Sequence, residues 1–111
     1  MRAIVIKIKA GVVFKALRPE IYRLFPILDE TFADRGLNCL ITSANDGKHK
    51  NGSLHYQDLA IDIRIKHLPN QIEKQRVLEE LRVDAGPDYD ILLECAGTLN
   101  EHIHLEYDPG E

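Results

Sequence analysis

The chain has no tryptophan, one methionine and only two cysteines among its 111 residues. Cys39 and Cys95 form no CxxC pair, which excludes a cysteine-rich zinc site. Without a secretory signal, the default for both is a buried reduced thiol. Long apolar runs are also missing, and every hydrophobic stretch is far shorter than the roughly 20 residues that span a bilayer. Nor is there a surplus of positive charge. Fourteen Lys and Arg stand against eighteen Asp and Glu, a net charge of -4, whereas a nucleic-acid binder normally shows a basic face. Nucleic acid and membrane are therefore not expected as partners. The opening Met1-Arg2 leads into a run broken at Lys7 and Lys9, unlike a signal peptide. No repeat, low-complexity segment or linker divides the chain. The expectation is a single domain over residues 1–111, monomeric and cytoplasmic on synthesis.

What is present has the pattern of a small α+β protein. Hydrophobic residues make up 44% of the chain, enough for an ordinary core. Ala3 to Lys9 is β-branched and alternating, hence a strand, with a break at Gly11. Pro19 opens a helix in which Ile21, Leu24, Phe25, Leu28 and Phe32 recur at helical spacing, and Gly36 closes it. Pro26 inside that pattern predicts a kink or a short first turn. Leu37 to Thr42 is a second strand, Ser43 to Ser53 a polar loop, and Leu59 to Ile65 a third strand with one wet face. A second helix starts at Pro69-Asn70-Gln71 and ends at Gly86-Pro87. Strands follow at Tyr89 to Glu94 and His102 to Tyr107, with a turn at Gly97 to Asn100. This order predicts a mainly antiparallel central sheet with two helices packed on it. A ferredoxin-like split arrangement is the plainer alternative.

Five histidines carry the chemical information. His102 and His104 alternate with Ile103 and Leu105, so both imidazoles leave one face of one strand. Asp62 lies on the polar side of a strand between Ile61 and Ile63, where a carboxylate is costly unless something pairs with it. His55 sits at the mouth of that strand. If the two strands are neighbours, His55, Asp62 and one of His102 or His104 would supply three zinc ligands, leaving a fourth position for water. Taken singly, His55 reads as a loop histidine and Asp62 as a strand-edge carboxylate; taken together, they point to a metal. His67 matches no pattern and reads as a surface residue, and Lys7, Lys9 and Lys15 as a solvated basic patch.

The segment Ser53-Leu54-His55-Tyr56-Gln57-Asp58-Leu59-Ala60-Ile61-Asp62 resembles the SxHxxGxAxD signature of the zinc D,D-peptidases, a grouping that takes in lysostaphin-like enzymes and the hedgehog signalling domain. The upstream loop from Gly47 through His49 resembles the corresponding hedgehog loop. Glu101 to Pro109, EHIHLEYDP, resembles the closing HxH segment of small phage endolysin-like members. The resemblance runs from Thr42 to Pro109 in family order. It implies a hedgehog/D,D-peptidase-like fold and zinc held by His55, Asp62 and His104. It implies Glu101 as the acid/base, with Glu94 as the alternative, and His102 as a hold on the substrate carbonyl oxygen or oxyanion. Substrate contacts would fall to His49, Ser53 and Tyr56, Glu106 would orient a ligand, and Tyr56 and Tyr107 would wall the cleft.

The implied activity is hydrolysis of amide bonds in peptidoglycan peptides, by a phage or prophage product released to the wall or carried in a virion. An inactive zinc-binding recognition module is the alternative. Two departures stand out. Asp58 replaces the signature glycine. No arginine follows the second strand at Thr42-Ser43-Ala44-Asn45, which favours an endopeptidase unless Lys48 or Lys50 supplies a point charge.

Overall fold

A computed structural model describes residues 2–12, 17–44 and 59–109. Five strands, β1 (Ile6–Ile8), β2 (Cys39–Ser43), β3 (Ala60–Arg64), β4 (Tyr89–Glu94) and β5 (His102–Tyr107), form one mixed sheet in the order β1-β2-β3-β5-β4. Three neighbouring pairs are antiparallel, and β1 runs parallel to β2. The protein is therefore α+β, but its sheet is not purely antiparallel. The parallel pair follows from connectivity: a helical crossover separates β1 from β2, whereas β4 and β5 are joined by a tight turn.

The expected first helix divides into α1 (Pro19–Tyr22) and α2 (Phe25–Ala33). Pro26 falls in the first turn of α2, where it has no N–H to return to Tyr22, so the helix restarts there instead of kinking. Gly36, at φ +69°, ends the segment with the Leu37 N–H bonded to the Phe32 carbonyl at 3.0 Å, a left-handed cap that glycine adopts at low cost. The third helix, α3 (Gln71–Ala85), is capped by Asn70, whose side chain accepts from the Glu73 N–H at 2.9 Å.

All three helical segments pack on one face of the sheet. Ile21, Leu24, Leu28 and Phe32 meet Val77, Leu78 and Leu81 from α3 over Ile41, Ile61, Ile63, Ile91, Ile103 and Leu105. Burying a side chain of this size stabilises by about 1.5–3 kcal/mol. Period-two alternation then obliges the intervening residues of β3, β4 and β5 to face away from the helices. Those residues include Asp62 and Arg64 of β3, Asp90 and Glu94 of β4, and His102, His104 and Glu106 of β5. Among the described residues, no helix is long and apolar enough to cross a membrane.

Candidate metal centre

Register builds the centre. Asp62 lies directly opposite His104, and Arg64 opposite His102, across β3 and β5. On the other side of β5, Leu92 of β4 faces His104 and Glu94 faces His102. Directly paired residues on one face hold their side chains about 4.5–5.5 Å apart at Cβ, so Asp62, His104, His102 and Glu94 converge.

His104 is gripped at both nitrogens. Its Nδ1 lies 2.8 Å from Asp62 Oδ1 and its Nε2 lies 2.8 Å from Glu106 Oε1. Burial of the ring opposes its charge, but the hydrogen bond and charge of Asp62, with Glu94 and Glu106 behind them, hold His104 above the ordinary histidine value. His102 Nδ1 donates to the Asn100 carbonyl at 2.6 Å, and its Nε2 lies 3.0 Å from Glu94 Oε1 and 3.8 Å from Asp62 Oδ1.

Donor atoms of Asp62, Glu94 and His104 all lie within 4.8 Å of one another. One imidazole nitrogen with carboxylate oxygens is a donor set that zinc accepts. Glu106 on the far nitrogen is the kind of carboxylate that fixes a ligating histidine's tautomer and orientation. The donors present therefore fit a zinc ion. A second group, Asp90, Glu106 and Asp108, is wholly carboxylate and mostly exposed, and touches the first through the Glu106–His104 contact.

Glu101 belongs to a different cluster. It is 6% exposed, and by strand alternation it lies on the side of Ile103 and Leu105 rather than that of His102 and His104. Its carboxylate accepts from the Lys74 ammonium, from the Gln71 amide at 3.3 Å and from the Gly97 N–H at 3.0 Å. The hydrogen bond from Lys74, then that from Gly97, holds its carboxyl below the usual glutamate range. Glu101 thus ties α3 to the β4–β5 turn, while Glu94 is the acid brought beside Asp62 and His104.

His55, His49, Ser53 and Tyr56 lie outside the described residues, as do Asp58, Lys48 and Lys50. The expected pair of buried thiols is half right. Cys39 is fully buried, whereas Cys95 is exposed at φ 55° where the chain leaves β4. Tyr107 stacks edge-on to Tyr89 with centroids 5.3 Å apart, and both pack onto the core, so it does not wall the metal face. His67 is exposed, lying over Phe32 with centroids 5.8 Å apart and bonded to the Asn38 carbonyl at 2.6 Å.

Arg64 and Lys66 were not singled out from the sequence, yet with Lys9 they line a cavity of about 500 Å3 beside His102. The alternation of Asp62 and Arg64 with isoleucine was the available signal for Arg64. Comparison with protein-family models, curated proteins and solved structures finds no match.

Proposed function

We propose that the protein is a zinc-dependent peptidase that hydrolyses amide bonds in peptidoglycan peptides. The observation that carries this reading is the convergence of Asp62, His104 and Glu94 on one sheet face, with donor atoms within 4.8 Å and Glu106 behind His104. In the proposal Asp62 and His104 hold the metal with His55, the third ligand that the sequence resemblance supplies. Zinc bound there would supply Lewis acidity and acidify a water. Glu94 is the favoured acid/base, in preference to Glu101, because its carboxylate stands among the ligands, 3.0 Å from His102 Nε2. His102 is oriented through Nδ1 by the Asn100 carbonyl, and its Nε2 would have to leave Glu94 to donate to a substrate carbonyl oxygen as charge develops there. Glu106 keeps the His104 ring in place.

A second reading, a zinc-binding recognition or structural module without hydrolysis, is favoured by one observation. The acid that the resemblance assigns to proton transfer, Glu101, is committed to Lys74 and Gly97. One experiment separates the readings. Untagged protein is assayed for zinc by elemental analysis and for release of new amino termini from purified bacterial wall, with and without chelator. Zinc near one per chain together with chelator-sensitive release supports the peptidase. Zinc without release supports the module, and no zinc after incubation with the metal overturns both.

A further inference from the structure

Among the described residues the sheet ends at two edges, β1 and β4. A strand at an edge keeps one side of its backbone unpaired, and that side is a template for another strand. In β1, the Val5 carbonyl accepts from the Cys39 N–H and the Lys9 N–H donates to the Ile41 carbonyl, so these alternate residues commit their backbone groups to β2. The N–H and C=O groups of Ile6 and Ile8 therefore face outward. At the other edge the Asp88 carbonyl accepts from the Asp108 N–H, and Asp90 and Leu92 follow it in step toward β5. The backbone groups of Ile91 and Leu93 face out.

The side chains along the two edges are complementary. Ile6 and Ile8 stand beside the buried Cys39 and Ile41 in the parallel register, hence on the helix side of the sheet. Ile91 is in the core on that same side, with Leu93 and Tyr89 packed against it. The helices leave Ile4 71% and Ile8 51% exposed. On the open face, away from the helices, β1 presents Lys7 and then Lys9, while β4 presents Asp90 and Leu92, preceded by Asp88. Both lysines and both aspartates are exposed, and among the described residues none of the four is in an ion pair.

One antiparallel register fits these edges to each other. With Ile6 opposed to Ile91 of a second copy, Ile4 meets Leu93 and Ile8 meets Tyr89 on the helix side. On the open face Val5 then meets Leu92, Lys7 meets Asp90 and Lys9 meets Asp88. Opposed apolar pairs and opposed opposite charges are what stabilise a strand pair. Two residues is the smallest slip that keeps both outward backbones in phase. Slipped either way, the pairing keeps one lysine–aspartate contact and sets Val5 against Glu94 or Asp90. We infer that β1 of one copy adds to β4 of a second, head to tail, joining the five-stranded sheets into one with all the helices on one side. The two edges are different surfaces and every copy carries both. Association that grows with protein concentration thus replaces the monomer expected from the sequence. Arg82 opposes it. Its Nε donates to the Ile91 carbonyl at 2.8 Å and its Nη1 to Glu79 at 2.7 Å, and the Ile91 carbonyl is the acceptor that the Ile6 N–H of the second copy needs. The guanidinium must swing away first, which keeps the edge covered in dilute protein. Joining of this kind needs neither zinc nor hydrolysis.

Charge reversal tests the pairing. The untagged full chain is followed by sedimentation from micromolar to millimolar concentration at low ionic strength, where its weight-average mass should rise above that of one chain. Added salt should weaken the association, because the lysine–aspartate contacts are at the surface. Lys7→Glu with Lys9→Glu makes both edges acidic, and Asp88→Lys with Asp90→Lys makes both basic. Each double variant alone should need about tenfold more protein to associate, since like charges then stand opposed. Mixed in equal amounts, the two variants again bring opposite charges to every junction, and association should return to the wild-type range. One chain carrying all of these changes should associate by itself, which separates a lost contact from a lost fold. A wild-type mass that stays at one chain up to millimolar protein would overturn the inference. So would double variants that associate as the wild type does, or a mixture and a combined variant that both stay apart.

Discussion

Asp62 and His104 occupy directly opposed positions on β3 and β5, and their Oδ1 and Nδ1 atoms stand 2.8 Å apart. The two residues are 42 positions apart in sequence, and only the antiparallel register between these strands brings them together. A metal held by this pair must be lost when either donor is removed. His104→Ala and Asp62→Ala should each bring zinc content from about one per chain to near zero by elemental analysis. Full retention of zinc in both variants would show that the metal, if bound, sits elsewhere.

Glu106 should matter less, and in a different way. Its carboxylate takes the second nitrogen of His104 at 2.8 Å, so it holds the ring without being needed as a ligand. Carboxylates in that role typically contribute 10–100-fold to metal affinity. Glu106→Gln is expected to weaken zinc binding by a factor in that range, measured by competition with a chromogenic chelator. An unchanged affinity would mean that the ring is held by strand packing alone.

Glu94 and Glu101 can be ranked by paired substitutions. Glu94→Gln should leave zinc content intact and lower peptide hydrolysis by about 10²–10⁴-fold, the range for removing a general acid/base. Glu101→Gln should retain much more activity, since its carboxylate is occupied by Lys74, Gln71 and Gly97. The opposite ranking would return the role to Glu101 and require the β4–β5 turn to rearrange when substrate binds. Loss of zinc in Glu94→Gln would instead make Glu94 a ligand.

Much of the fold was legible because apolar alternation is a local signal. Ile61, Ile63, Ile103 and Leu105 announced both strands and their buried side, and so placed Asp62, His102 and His104 on the open face. The direction of β1 was not legible in the same way, since a strand's own residues are indifferent to whether its neighbour runs parallel. The helical crossover between β1 and β2 was the better indicator. For Glu101 the resemblance offered a role by spacing alone. Its partner Lys74 lies on α3 and reaches Glu101 only through tertiary packing, which no local pattern reports. Cys95 misled for a related reason: LLECA has apolar neighbours, but the chain turns at Cys95 as it leaves the sheet.

The two cysteines should now behave differently. Burial first, and the nearby Asp29 charge second, push the Cys39 thiol up to about 12, and it is fully buried. Cys95 is exposed. Because the thiolate is the reactive species, a disulfide reagent should titrate one thiol in the native protein and two in denaturant. Cys95→Ser should abolish the native reaction. Two thiols reacting equally fast in the native state would contradict the burial of Cys39.

The Lys74–Glu101 pair makes a prediction about stability whose sign is fixed by the direction of the shift. Glu101's carboxyl is held below its ordinary value, chiefly by the Lys74 hydrogen bond. Its stabilisation is therefore complete above the unfolded glutamate value of about 4.3, and it is lost as pH falls through the lower folded value. Lys74→Met keeps the side chain's length but removes the donor, leaving a largely buried carboxylate short of a partner. The variant should be less stable by on the order of 1–3 kcal/mol near neutral pH. The gap from the wild type should narrow on acidification below the ordinary glutamate value, because a protonated Glu101 no longer draws on the ammonium. Urea unfolding of both proteins across this pH range measures the gap directly. A gap that stays constant with pH would assign the loss to packing of the Lys74 stem against α3's neighbours, and would remove the ion pair from the account of how the β4–β5 turn is held.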